Sequence, residues 1–268
     1  MNPNPTEKSP DVIPKTEIAQ ILEPISKFTE KNPQIVDNKL HYVVSGSTAV
    51  ILFAESEEIK IYTIDDKGNL TEVETADVGN KSQTFIKENI SQFGKPSDID
   101  ISVTKNNATE DTMVEDQFVL RAGEKVLRGT IDGKEYYFEQ PLDYIAKLLA
   151  NRYGGMSHEH SKAYGKLRKM EMMIEGVTQD ISVEALAVEI EKRLETPDMQ
   201  LLNYPESLQR RSAESFLSNP LSMYSWLSKT ILRDNDGQRE ASVNINQFPR
   251  VKEIIDTLSS RHINNTHS

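Results

Sequence analysis

Two carboxylates, Asp98 and Asp100, stand two residues apart in the run Ser97-Asp98-Ile99-Asp100-Ile101-Ser102-Val103. In a β-strand, residues i and i+2 share a face, so both acids are expected to project from the same side of a sheet. Two like charges that close repel each other unless something positive lies between them. A hard divalent cation prefers oxygen donors, which makes Mg²⁺ the natural bridge. The chemistry such a pair suits is the handling of phosphates through a metal ion. A plain solvated pair on an edge strand is the structural alternative.

A second feature points the same way. Leu40-His41-Tyr42-Val43-Val44 has the apolar character of a buried strand, and it runs into Ser45-Gly46-Ser47-Thr48 and then Ala49-Val50-Ile51-Leu52-Phe53, expected to be helical. A strand, a turn of small residues and a helix start make an anion seat, because free N–H groups and the helix dipole point at the turn. Glycine lets the backbone approach a phosphate closely. Other chemistries find less support. No Gly-x-Ser-x-Gly elbow, no Gly-x-x-x-x-Gly-Lys-Ser/Thr loop and no Gly-x-Gly-x-x-Gly occurs. His158 and His160 form an alternate pair but lack spaced partners to complete a metal site.

The elements that must position these residues can be read from the apolar spacing. Ile18, Ile21, Leu22, Ile25 and Phe28 predict a helix over 16–31, capped by Thr16. A hairpin is expected over 59–75 around Asp65-Asp66-Lys67-Gly68-Asn69, and a helix over 82–93. The carboxylate strand follows. Short strands are expected at 118–121, 125–131 and 135–138, then a helix over 142–152 that carries Lys147. Beyond Gly154-Gly155 the pattern predicts helices at 161–176, 182–195, 206–217, 221–232 and 248–260. Lys162, Lys166 and Lys169, with Arg168, give the first of these a basic face that either grips phosphate or is simply solvated. Strands interrupted by hairpins exclude a doubly wound parallel sheet.

The chain has 268 residues, a net charge of −11 and no cysteine, so disulfides, thiolate metal sites and cysteine nucleophiles are excluded. The net charge divides as −9 over residues 1–155 and −2 over 156–268, so a polyanion is expected to touch the second part more readily. No stretch approaches the roughly 20 apolar residues of a membrane span. Met1 to Lys15 is polar and holds four prolines, without an apolar signal region. A cytoplasmic protein without membrane attachment is the expectation.

The combination of Gly46-Ser47 after a strand, a helix behind it, and Asp98-Ile99-Asp100 on a later strand resembles the nucleotidyltransferase superfamily, with the fold of DNA polymerase β and of AbiEii-like bacterial enzymes. A strand pair, then Pro141, Leu142, Ile145 and Lys147 on the following helix, extends the resemblance over about residues 38–152. It implies an α+β fold, a mixed sheet with flanking helices over 16–155; the apolar pattern adds a helical domain over 156–262, and composition a disordered lead-in at 1–15 and a tail at 263–268. The resemblance implies Mg²⁺-dependent transfer of a nucleoside monophosphate from an NTP to a hydroxyl acceptor, with tRNA, a protein or a small molecule as acceptor. Asp98 and Asp100 would hold the metal and carry catalysis; Gly46, Ser47 and Lys147 would bind the nucleotide. A toxin with a cognate antitoxin is one setting the resemblance implies. The chain departs from the family in the 50 residues between Ser47 and Asp98, and in a third carboxylate for which Asp116 is the choice and Glu115, Asp132, Glu135 and Glu139 are alternatives. Two other readings stay open. One is a catalytically silent relative serving as a binding or regulatory module; the other is a plain α/β protein whose Asp-x-Asp is incidental, which a large distance between Gly46-Ser47 and Asp98 would support.

Overall fold

The computed structural model describes residues 18–73, 80–90, 99–104, 114–120, 122–153, 160–195, 216–227, 231–234, 237–240 and 243–266. Helix α1 (Ile18–Lys31) buries Ile21, Ile25 and Phe28, the apolar stripe of its sequence. Two short strands, β1 (Ile35–Val36) and β2 (Lys39–Leu40), lead into β3 (Tyr42–Ser45), and helix α2 (Gly46–Glu55) begins at the next residue. The hairpin β4 (Ile59–Ile64) and β5 (Leu70–Glu72) follows, then α3 (Asn80–Asn89) and β6 (Ile99–Thr104). Strands β7 (Val114–Leu120), β8 (Lys125–Ile131) and β9 (Lys134–Phe138) complete the main sheet, and α4 (Pro141–Tyr153) leaves it.

Seven of these strands form one mixed sheet in the order β5-β4-β8-β9-β3-β6-β7. The β3–β9 and β6–β7 pairs are parallel, and the other neighbours are antiparallel. The expected α+β class is therefore present, with the sheet wider than the strands around the aspartates alone. The segment between the Gly-Ser turn and the aspartate strand widens it: β4 pairs with β8 and carries β5 at the edge. The two faces of β3 and β6 differ. Tyr42, Val44, Ile99, Ile101 and Val103 join the large core under the helices, while Val43 belongs to a smaller cluster with Tyr62, Ile64 and Tyr137 on the opposite face. Period-two alternation thus assigns Ser45, Asp100 and Ser102 to the face away from that large core.

Helices α5 (His160–Val177) and α6 (Val183–Glu195) match the expected helical stretches closely. The last helix, α8 (Pro249–Thr266), is longer than its apolar pattern predicts. The helix expected over 221–232 is corrected. Helix α7 (Ser222–Leu227) is short, and β10 (Ile231–Asp234) and β11 (Gly237–Glu240) pair as an antiparallel hairpin. The sequence Asp234-Asn235-Asp236-Gly237 is a turn signal that outweighs helical spacing there. The helix expected at 206–217 falls almost wholly outside the described residues, as do 1–15, Thr16, Gly154-Gly155 and His158.

One continuous apolar cluster runs from Ile21 in α1 through α2 and α4 to Leu167, Met173, Ile190 and Ile255 in the later helices. Glu171 ties α5 to α8: its two oxygens accept the Arg250 and Val251 amides, each at 2.9 Å, at the start of α8. Burial holds the Glu171 carboxyl above its ordinary range against the pull of those amides. Among the described residues no helix is long and apolar enough to cross a membrane.

Candidate functional site

Strand β3 ends and α2 begins without a connecting loop, and the conformation at Gly46 makes this possible. Its φ is +67°, a region that costs an L side chain about 1–2 kcal/mol. Space is also lacking, since a Cβ at Gly46 would lie 2.2 Å from Asp100 Oδ2 and 3.1 Å from its Cγ. The antiparallel register sets this contact, placing Ser45 opposite Asp100. The turn and Asp100 are therefore adjacent.

Ser45 occupies the N-cap position of α2, yet its side chain makes no capping bond. Its hydroxyl lies 2.6 Å from Ser102 Oγ on β6. Glu139, which follows β9, supplies an acceptor for the helix start: its Oε1 takes the Gly46 N–H at 2.6 Å. Parallel pairing of β9 with β3 brings Glu139 there, with Phe138 in register with Val44 and the Glu139 amide donating to Val44 O. The other Glu139 oxygen pairs with Lys147 of α4. Lys147 Nζ also lies 3.2 Å from Ser102 Oγ and 3.5 Å from Ser45 Oγ. The pair is well shielded, with Glu139 5% and Lys147 12% exposed.

On the other flank of the turn, Ser47 Oγ lies 2.9 Å from Tyr144 OH and accepts a hydrogen bond from Lys169 Nζ of α5 at 3.0 Å. Arg193 of α6 pairs with Asp143 in the first turn of α4. Burial pulls the Arg193 guanidinium below its ordinary range, and the charges of Glu124 and Glu139 oppose that pull. Side chains from β6, from the end of β9, from α4 and from α5 thus converge on three residues, Ser45-Gly46-Ser47.

Of the residues singled out from the sequence, Gly46, Ser47, Asp100 and Lys147 meet here, and Asp98 lies outside the described residues. Asp116 sits by its backbone in β7, where a register shift sets residues 115 and 116 against Asp100. Asp132 and Glu135 belong to the far end of the β8–β9 hairpin, where Glu135 pairs with Arg128. Glu139 is the acid brought to the turn. Its Oε1 and Asp100 Oδ2 both abut Gly46, within about 7 Å of one another. Lys169, Tyr144 and Ser102 are further residues whose place here the sequence did not reveal. Among the described residues no three His, Asp or Glu side chains form a metal-holding group. The donors that line the turn are oxygens, and the chain lacks cysteine, so the donor chemistry fits a hard cation better than a soft one.

Two chemistries can be weighed on this geometry. A serine nucleophile activated by lysine needs a neutral amine and an accessible hydroxyl. Lys147 is tied up in an ion pair with the buried Glu139 carboxylate, and Ser45 and Ser102 are 0% and 4% exposed. The turn gathers an amide, hydroxyls and two lysines together with the carboxylates of Asp100 and Glu139, the second of which accepts the amide. Compared with known proteins, the chain matches no family model, no curated protein and no solved structure.

Proposed function

We propose that this protein is a nucleotidyltransferase that moves a nucleoside monophosphate from an NTP to a hydroxyl acceptor. The observation that carries this reading is the direct contact of the Gly46 turn with Asp100, flanked by Lys147. A carboxylate strand pressed against an anion-binding turn is what alignment of a polyphosphate requires. Asp98 and Asp100 would hold Mg²⁺, which when bound would neutralise phosphate charge and polarise the α-phosphate. The Gly46 amide and the Ser47 hydroxyl would hold the distal phosphates, and Lys147 would add a point charge to the triphosphate. The acceptor would be an RNA, a protein or a small molecule. A cognate antitoxin is the partner expected if the enzyme acts as a toxin.

The second reading, a silent relative that binds or regulates, has one observation in its favour. The Glu139 carboxylate already accepts the Gly46 amide and pairs with Lys147, the two groups a phosphate would need. Phosphate binding there would require Glu139 to swing away, toward the metal or solvent. One experiment separates the readings. Wild type is incubated with Mg²⁺, cell extract and each NTP labelled at the α- or the γ-phosphate. A transferase labels an acceptor from the α-label alone, and Asp98→Asn/Asp100→Asn abolishes it. Failure of every α-labelled NTP to mark RNA, protein or small molecules would favour the silent module.

A further inference from the structure

Both oxygens of Glu139 are engaged at the turn, one by the Gly46 amide at 2.6 Å and the other by Lys147. We infer that Glu139 is an internal competitor of phosphate, an autoinhibitory contact that an entering anion must displace. The inference rests on the nucleotide reading above and adds regulation to that site. A carboxylate can stand in for a phosphate oxygen at a helix start, because both accept from the same amide and both answer the helix dipole. The backbone seats Glu139 for this role. Its amide donates to Val44 O at 3.0 Å, which fixes the end of β9 beside the turn. On its other side the Gln140 amide donates to Asp143 Oδ2 at 3.2 Å, capping α4, and Asp143 pairs with Arg193 of α6. The main chain is thus anchored before and after Glu139, so displacement needs a turn of the side chain alone. Leaving the turn breaks a charge-assisted bond and a shielded ion pair at once, which sets a threshold. Asp100 also abuts Gly46, so an anion arriving without metal meets two carboxylates. A lone phosphate offers the turn little that Glu139 does not. A polyphosphate extends to Ser47 as well, and so displaces Glu139 where a single phosphate fails.

The test is calorimetry in chelator, with inorganic tripolyphosphate and inorganic phosphate as probes, on wild type, Glu139→Gln and Glu139→Asp, each checked for folding. Gln keeps an oxygen for the Gly46 amide but removes the charge; Asp keeps the charge on a shorter stem. Tripolyphosphate should bind Glu139→Gln at least roughly 10-fold more tightly than wild type, the size of a lost charged contact, with Glu139→Asp between them. Inorganic phosphate should bind Glu139→Gln and not wild type. On wild type itself, the Gly46 amide and the Glu139 carboxyl carbon should shift together in NMR titration with tripolyphosphate, at one midpoint. Variants that bind no better than wild type, or a Gly46 shift with Glu139 unmoved, would overturn the competitor; the nucleotide reading would stand if wild type still binds NTP in Mg²⁺. Binding by Glu139→Gln beside a wild type that binds no NTP would keep the competitor and overturn the transferase. If neither protein binds either probe or NTP, both fall.

Discussion

The contact between Gly46 and Asp100 can be measured as a coupling energy. Gly46→Ala must hold an L residue at φ +67°, at about 1–2 kcal/mol. The new Cβ would also stand 2.2 Å from Asp100 Oδ2, so the carboxylate must rotate off its place. An off-rotamer shift of that kind costs on the order of 1 kcal/mol. Gly46→Ala alone should therefore destabilise the fold by about 2–3 kcal/mol. Asp100→Ala removes the offending oxygens and leaves only a Cβ at 3.3 Å, a contact a small adjustment relieves. In that background Gly46→Ala should lose only the conformational part, giving a coupling of about 1 kcal/mol between the positions. Urea denaturation of the four proteins, with the slope checked for constancy, measures it. Equal losses in both backgrounds would show that the turn and the aspartate strand do not touch as described.

Two more expectations follow from buried charge. Lys147→Met strands the Glu139 carboxylate in a site only 5% exposed, and should destabilise the protein by about 3 kcal/mol. At a few degrees per kcal/mol that lowers the melting temperature by roughly 6–12 °C. Adding Glu139→Gln should restore most of the loss, and a double variant no better than the single would refute the pairing. Glu171, raised above its ordinary value of 4.5, binds protons more tightly in the native than in the unfolded state. Stability from this group is fully present below pH 4.5 and is lost as pH rises through the raised native value. Relative to Glu171→Gln, wild type should therefore lose stability across that interval and run parallel above it; a wild type that gains there contradicts the burial argument.

Much of this architecture can be read from local pattern. Isoleucines 99 and 101 alternate with Asp100 and Ser102, and that period alone assigns the acid to the side of the sheet away from the main core. Gly46 between two serines, after an apolar strand, marks a tight strand-to-helix turn. Glu139 and Lys169 are different in kind. Glu139 reaches Gly46 only because β9 lies parallel beside β3, a strand order that no local spacing encodes. Its one local signal was a carboxylate closing an apolar strand just before Pro141, where burial without a partner would be expensive. Lys169 reads as one member of a basic helix face, and only the packing of α5 distinguishes it from Lys166. The C-terminal hairpin was missed because residues 221–232 carry helical spacing into a segment that ends in a turn.

The most direct test is calorimetric titration of each NTP, with and without Mg²⁺, into wild type and into Asp98→Ala/Asp100→Ala, both checked for folding. Metal-dependent binding to wild type that vanishes in the double variant is the expected result. Absence of binding to folded wild type, or equal binding to both proteins, would contradict a nucleotide seat at this turn.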